Sequence, residues 1–196
     1  MHPVTHFLAG WTLASAARLK PRDCAVVSCL GLAPDLDGLG AIADWTGEFA
    51  GLAPAGYYEL YHHSLAHGIA AALVFTALAA ALGTDRLRAA LWTFASVHLH
   101  FACDLAGSRG SNPIDIWTIP YLAPFSDALT LEWSGQWPLT SWQNTSITLA
   151  LIAAVLASAG IRGFSPVGMV SRAADAALVA VLRTRWAQLG ARLLRR

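Results

Sequence analysis

The chain alternates long apolar runs with short polar interruptions, and these divide it into six segments of helical rather than strand periodicity. The first covers residues 5–19, with Thr5 placed to cap its start and "KPRD" to end it. The second, 24–32, is short and stops at Pro34. The Gly- and Pro-rich stretch 35–60 reads as a loop. The third segment, 61–83, is "YHHSLAHGIAAALVFTALAAALG": three histidines within six residues, then an apolar run without charge. "TDR" turns the chain into a fourth segment, 87–106. A second loop, 107–141, holds Trp117, Trp133 and Trp137. The fifth segment, 142–161, is uncharged, and the sixth, 171–194, interleaves arginines with Ala, Leu and Val. There is no internal repeat and no low-complexity linker, and 196 residues suit one domain over 1–196.

A helix needs roughly 20 apolar residues to cross a bilayer. The fifth segment meets this, as does the third when its histidine end is placed in the interface. The fourth qualifies if its polar residues face inward, and the first two are too short to be assigned as spans. The basic stretch 160–196 reads as an amphipathic interfacial helix. The expected fold is therefore all-α: a membrane-embedded bundle of about five core helices plus that C-terminal helix. Composition strengthens the membrane reading. Charged residues make up 13% and apolar residues 56%, against about 25% charged in soluble domains. A net charge of +1 gives no bulk argument for nucleic acid. Cys24, Cys29 and Cys103 lie in apolar segments without a CxxC pattern and read as small core residues. "MHPVTHFLAG" has no basic stretch before its apolar residues and so does not read as a cleavable signal peptide.

Charge is divided between helix ends if the segments alternate up and down. One end carries Asp35, Asp37, Asp44, Glu48, Glu59, Asp104, Asp115, Asp127 and Glu132, with Arg109 its lone base. The opposite end carries Arg18, Lys20, Arg22, Arg86, Arg88, Arg162, Arg172 and the later arginines, against Asp23, Asp85 and Asp175. The positive-inside rule puts the basic end in the cytoplasm and the acidic end outside. A multi-pass protein of the bacterial inner (plasma) membrane is expected, with the lipid bilayer as its first partner.

The same alternation gathers chemistry at the acidic end. His6 opens the first segment, Asp35 and Asp37 of "PDLD" follow the second, and His62, His63 and His67 open the third. His100 and Asp104 of "HLHFACD" close the fourth. Residues four apart share a helix face, so His100 with Asp104, and His63 with His67, can grip one ion or neighbouring ions. His62 lies five residues before His67, about 140° around an ideal helix, and joins it only from a frayed first turn. In an extended "PDLD" the carboxylates point opposite ways, so one can ligate while the other orients a histidine. Mixed imidazole and carboxylate donors suit Zn, with Mn or Fe as alternatives, and bridging carboxylates can build a centre of two or more ions. His98 falls about 200° from His100 and is assigned to packing or support. His2 belongs to a frayed terminus.

"THFLAG", "PDLD", "HHSLAHG", "HLHFACD" and "IPYLAPFSD", in this order over residues 3–127, resemble the bacterial inner-membrane metal-dependent hydrolase family, the group containing the LexA-regulated membrane hydrolase. The resemblance implies metal binding at His6, Asp35, Asp37, His62, His67, His100 and Asp104. The chain departs from that pattern at His63, where the family has Arg, at Gly68, where it has Ser, and in the "APFSD" loop, which lacks a tryptophan before proline. The resemblance thus favours His62 where helix geometry favours His63. A more distant likeness is to the zinc-dependent phospholipase C and P1 nuclease group, in which His and Asp bind clustered zinc.

The expected activity is a membrane-bound metal-dependent hydrolase, acting as a phosphoesterase on a lipid or other substrate at the membrane surface. Asp35, Asp37 or His63 would take the proton from water. Arg109 is placed to hold a phosphate, and the tryptophan loop to anchor at headgroup level or cover a lipid substrate. The alternative is a non-catalytic metal-binding or ion-transporting membrane protein. The fifth segment and the middle of the third offer no ionisable residue to continue such a path. A haem bundle with His67 and His100 as axial ligands, and a soluble phospholipase-type enzyme, are the remaining readings.

Overall fold

The computed structural model describes residues 1–53, 55–62 and 65–193. Helices α1 (Pro3–Ala16) and α2 (Pro21–Leu32) both begin on a proline, where a missing N–H costs nothing and φ is preset. Between them Arg18 takes a left-handed φ of 57°, and Leu19 N–H returns to Ala14 O (3.1 Å) in a Schellman-type stop. Other carbonyls at this helix end are capped from a distance. Arg162 donates to Ser15 O (2.5 Å) and to Leu19 O, and Arg88 donates to Ala17 O. The arginines of the basic end thus tie its helices together.

The second α-helix ends at Leu32, as expected, but Pro34 does not end the helical run. It enters a 3₁₀ turn, Ala33–Leu39, which leads directly into α3 (Gly40–Phe49). A single turn, α4 (Tyr57–Tyr61), follows. The stretch expected to be a loop is therefore largely helical. Asp44 joins its two helices by accepting from Tyr57 N (3.0 Å) and Tyr58 N (2.8 Å).

The third expected helix also changes. Helix α5 begins at Ile69 and ends at Leu82, so its histidines precede it. Gly68 is extended, and Ile69 N–H donates to Tyr121 O (2.8 Å) instead of to a preceding turn. A Cβ on Gly68 would meet that carbonyl at 3.0 Å, so glycine is what lets the later loop close over this point. Helix α6 (Arg86–Gly107) follows, with Asp85 capping its start by accepting from Arg88 N (3.2 Å). The next loop contains a short antiparallel pair, Ile119–Pro120 with Thr130–Leu131. Helix α7 (Trp142–Arg162) ends at Gly163 in the left-handed region, φ 82°. Helix α8 (Arg172–Leu193) docks on α7, with Arg183 Nε donating to Gly160 O (2.8 Å). Val181 and Leu189 share its exposed surface with arginines, so the apolar–basic division expected of an interfacial helix is weak.

Helices α1, α2, α5, α6 and α7 form the bundle. Its interior has two apolar clusters, one around Trp11, Leu19 and Val27, the other around Val97, Phe101 and Ile119. Between them lie the fully buried Thr5, Ser28, Thr93 and Asn144, while Leu73, Val74, Leu91 and Leu149 are each more than half exposed. Water would favour the opposite sorting, and lipid favours this one. Small residues bring the helices close. A Cβ on Gly31 of α2 would stand 2.1 Å from Ser96 Oγ of α6.

Among the described residues, two helical runs are long and apolar enough to cross a bilayer: Pro21–Phe49 (29 residues, mean hydropathy 1.4) and Trp142–Arg162 (21 residues, 1.7). The 14 residues of Ile69–Leu82 rise only about 21 Å, short of the span expected for the third segment. Of the cysteines, Cys24 is buried and Cys103 partly so, but Cys29 is exposed and is not a core residue.

Candidate metal centre

Four helix ends meet as the sequence required. His6 comes from the first turns of α1, Asp35 and Asp37 from the 3₁₀ turn after α2, His67 from the segment before α5, and His100 and Asp104 from α6. His6, His67, His100 and Asp104 are at most 2% exposed. Asp104 is the hub. Its Oδ1 lies 3.1 Å from His6 Nε2, and its Oδ2 lies 2.9 Å from His100 Nε2 and 3.5 Å from His67 Nε2. His100 Nε2 is in turn 3.2 Å from His67 Nε2 and 3.6 Å from Asp35 Oδ1. The His6 and His100 rings stack with centroids 3.7 Å apart.

These separations are informative. Donors bonded at 2.0–2.1 Å to one tetrahedral ion stand about 3.3 Å apart, close to the distances around His100 and Asp104. Several of the contacts are poorly aligned as hydrogen bonds. Both ring nitrogens of His6, Asp35 Oδ2 and Asp104 Oδ2 are buried without a hydrogen-bond partner among the described residues. Leaving buried polar atoms unpaired is costly, and a cation is one group that the cluster could hold. The α-amino group of Met1 contacts Asp104 Oδ1 and lies 2.5 Å from Ser108 Oγ.

Neighbouring groups fix the rings. His100 Nδ1 lies 3.0 Å from Gly31 O, which accepts its N–H and leaves Nε2 free to ligate. His67 Nδ1 lies 2.8 Å from Asp37 Oδ2, and His62 Nδ1 lies 2.7 Å from Asp37 Oδ1. Ala66 N–H donates to the same carboxylate (3.2 Å). The donors thus form two adjoining groups, His6–Asp35–His100–Asp104 and Asp37–His62–His67. His67 touches both, one nitrogen to each. Burial disfavours a charge on His67, but Asp104 and Asp37 outweigh it and lift the pKa to about 9.

The carboxylates of "PDLD" do part company, one to each group, but from a 3₁₀ turn and not from an extended segment. His62 stands at the end of α4 and reaches the site through Asp37. His63 lies outside the described residues. Residues 65–68 are not helical. His98 is a packing residue, with Nδ1 2.8 Å from Phe94 O and Nε2 2.8 Å from Tyr121 Oη. Arg109 is not among the described residues that line the cavity over the centre. Its backbone pairs with Pro138, and its Nε is buried without an acceptor.

A cavity of about 310 Å³ stands over the centre. Asp35, His62 and Asp104 are on its floor, and Leu39, Trp117 and Leu139 are among its walls. His2, expected to fray, caps α1 and also lines it. Trp117 was expected at headgroup level. Instead its ring stands edge-on to His62 (4.8 Å) and near His67 (6.2 Å). Tyr58, whose ring lies 4.5 Å from that of His62, carries no sequence signal for its place here.

The fold and the cluster define a helical membrane protein with a polar His/Asp centre near one end of its bundle. The chain belongs to the YdjM inner membrane protein family, which it matches over residues 1–190. No curated protein matches it, and no solved structure does.

Proposed function

We propose that the protein is a membrane-bound, metal-dependent hydrolase that cleaves phosphoesters, lipid phosphoesters foremost, at the external face of the bacterial inner membrane. The observation that carries this reading is the spacing of unsatisfied donors around Asp104. His6, Asp35, His100 and Asp104 would hold the ion, zinc best with Mn or Fe as alternatives, and His67 Nε2 borders it. A divalent metal supplies activated water at neutral pH and polarises a phosphoryl oxygen.

The chain's own residues do the rest. Asp37 fixes the His67 and His62 rings through their Nδ1 atoms. His62, on the cavity floor and oriented by Asp37, takes the proton of water and returns it to the leaving alcohol. Trp117 and Leu139 keep bulk water from the floor. Membrane access supports a lipid substrate, because the cavity wall continues onto the exposed apolar face of α3, with Ile42, Trp45 and Phe49. Arginine placement at the opposite end supports a cytoplasmic basic end and an external site.

A phosphoester panel that includes phospholipids tests the reading. Hydrolysis by the purified chain should be lost with chelator and with Asp104→Ala, and should fall by about 10²–10⁴ in His62→Gln with metal retained. Stoichiometric metal with no turnover of any ester would favour the non-catalytic metal-binding reading instead.

A further inference from the structure

A second cavity lies away from the metal centre, at the arginine-rich end. It encloses about 510 Å³ and is walled by Trp11, Phe164, Met169 and the first turns of α2 and α8. Those turns contribute Arg22 and Arg172. Both arginines are exposed, and neither has an ion pair among the described residues. Asp175 is the opposing charge, and its Oδ1 is occupied by Ser165 N–H (2.9 Å) and Ser165 Oγ–H (2.6 Å). The start of a helix favours an anion through its unpaired N–H groups and its dipole, and here two helices start beside one hollow.

Met169 of the lining is exposed, and Val170 beside it is 93% exposed. An apolar rim around a basic hollow fits a ligand with a charged head and hydrocarbon chains. We infer that this cavity is a binding site for the phosphate headgroup of an anionic phospholipid in the leaflet at the arginine-rich end. Arg22 and Arg172 pair with the phosphate, and the acyl chains lie along Met169 and Val170. The site is independent of the chemistry at Asp104.

The test uses the full chain in detergent, with native mass spectrometry of bound lipid and three probes: phosphatidylglycerol, phosphatidylcholine and inorganic phosphate. The wild type should retain phosphatidylglycerol over phosphatidylcholine. Arg22→Gln with Arg172→Gln should weaken that retention about 30-fold, roughly fivefold per arginine, with metal content and melting temperature unchanged. If the double variant does not fold, each single variant should show its share of the loss. Equal retention of the two lipids, or undiminished retention in the variants, would overturn the site. Arginine-dependent binding of inorganic phosphate without lipid retention would overturn the lipid assignment.

Discussion

His67 places a single imidazole between the carboxylates of Asp37 and Asp104, and that setting has a consequence for pH. Without metal, its proton is held to about pH 9, against an ordinary value of 6.5. A group whose pKa is raised on folding stabilises the fold below its unfolded pKa, and that contribution disappears as pH rises through the folded value. The metal-free protein should therefore melt at lower temperature as pH goes from about 6.5 to 9. His67→Gln should flatten that slope. An ion at the centre competes with the same proton, so metal affinity should fall as pH is lowered. Metal-free melting that is insensitive to pH across this window would show that His67 does not carry the proton. The choice between His62 and His63 was not decided by sequence. A fifth-residue offset excludes His62 only if the histidines are helical. The chain bends at Gly68 to dock on Tyr121 O, a contact that no local pattern announces.

Among the elements, the α2–α6 contact matters most, because it sets both packing and ligand orientation. Gly31 gives Ser96 room and its carbonyl fixes the His100 ring. Gly31→Ala should cost about 1–3 kcal/mol through overpacking and should also weaken metal binding by turning His100. Ser96→Ala in the same chain should recover much of the stability, and a thermal double-mutant cycle would measure the coupling. Strictly additive losses would mean the two residues do not meet. The helices of the bundle were legible because their apolar runs are long and bounded by Pro, Gly and charge. Helix α3 was not. "GAIADWTGEF" lies between Pro- and Gly-rich flanks, and it is held by the Asp44 bonds to Tyr57 and Tyr58, which are tertiary information. Pro34 was read as a stop, although the first turn of a 3₁₀ helix needs no N–H from it.

For the whole molecule, the up-and-down alternation read from charge also delivered the site, because it sends the starts of α1 and α5 and the ends of α2 and α6 to one side. Sorting of polar side chains inward and leucines outward could not be read from composition alone, since it depends on which face each helix turns to its neighbours. The same alternation predicts orientation. In a cysteine-free background, Ser111→Cys in intact cells should react with a membrane-impermeant maleimide, and Gln188→Cys should react only after lysis. The reverse pattern would put the centre in the cytoplasm.

The central claim is that the donors around Asp104 form a metal centre. Elemental analysis of the full chain purified in detergent, beside a folded Asp104→Ala variant, tests it most directly. A stoichiometric divalent metal, zinc first, is expected in the wild type, and its loss in the variant. A metal-free wild type, or an Asp104→Ala protein with undiminished metal, would contradict it.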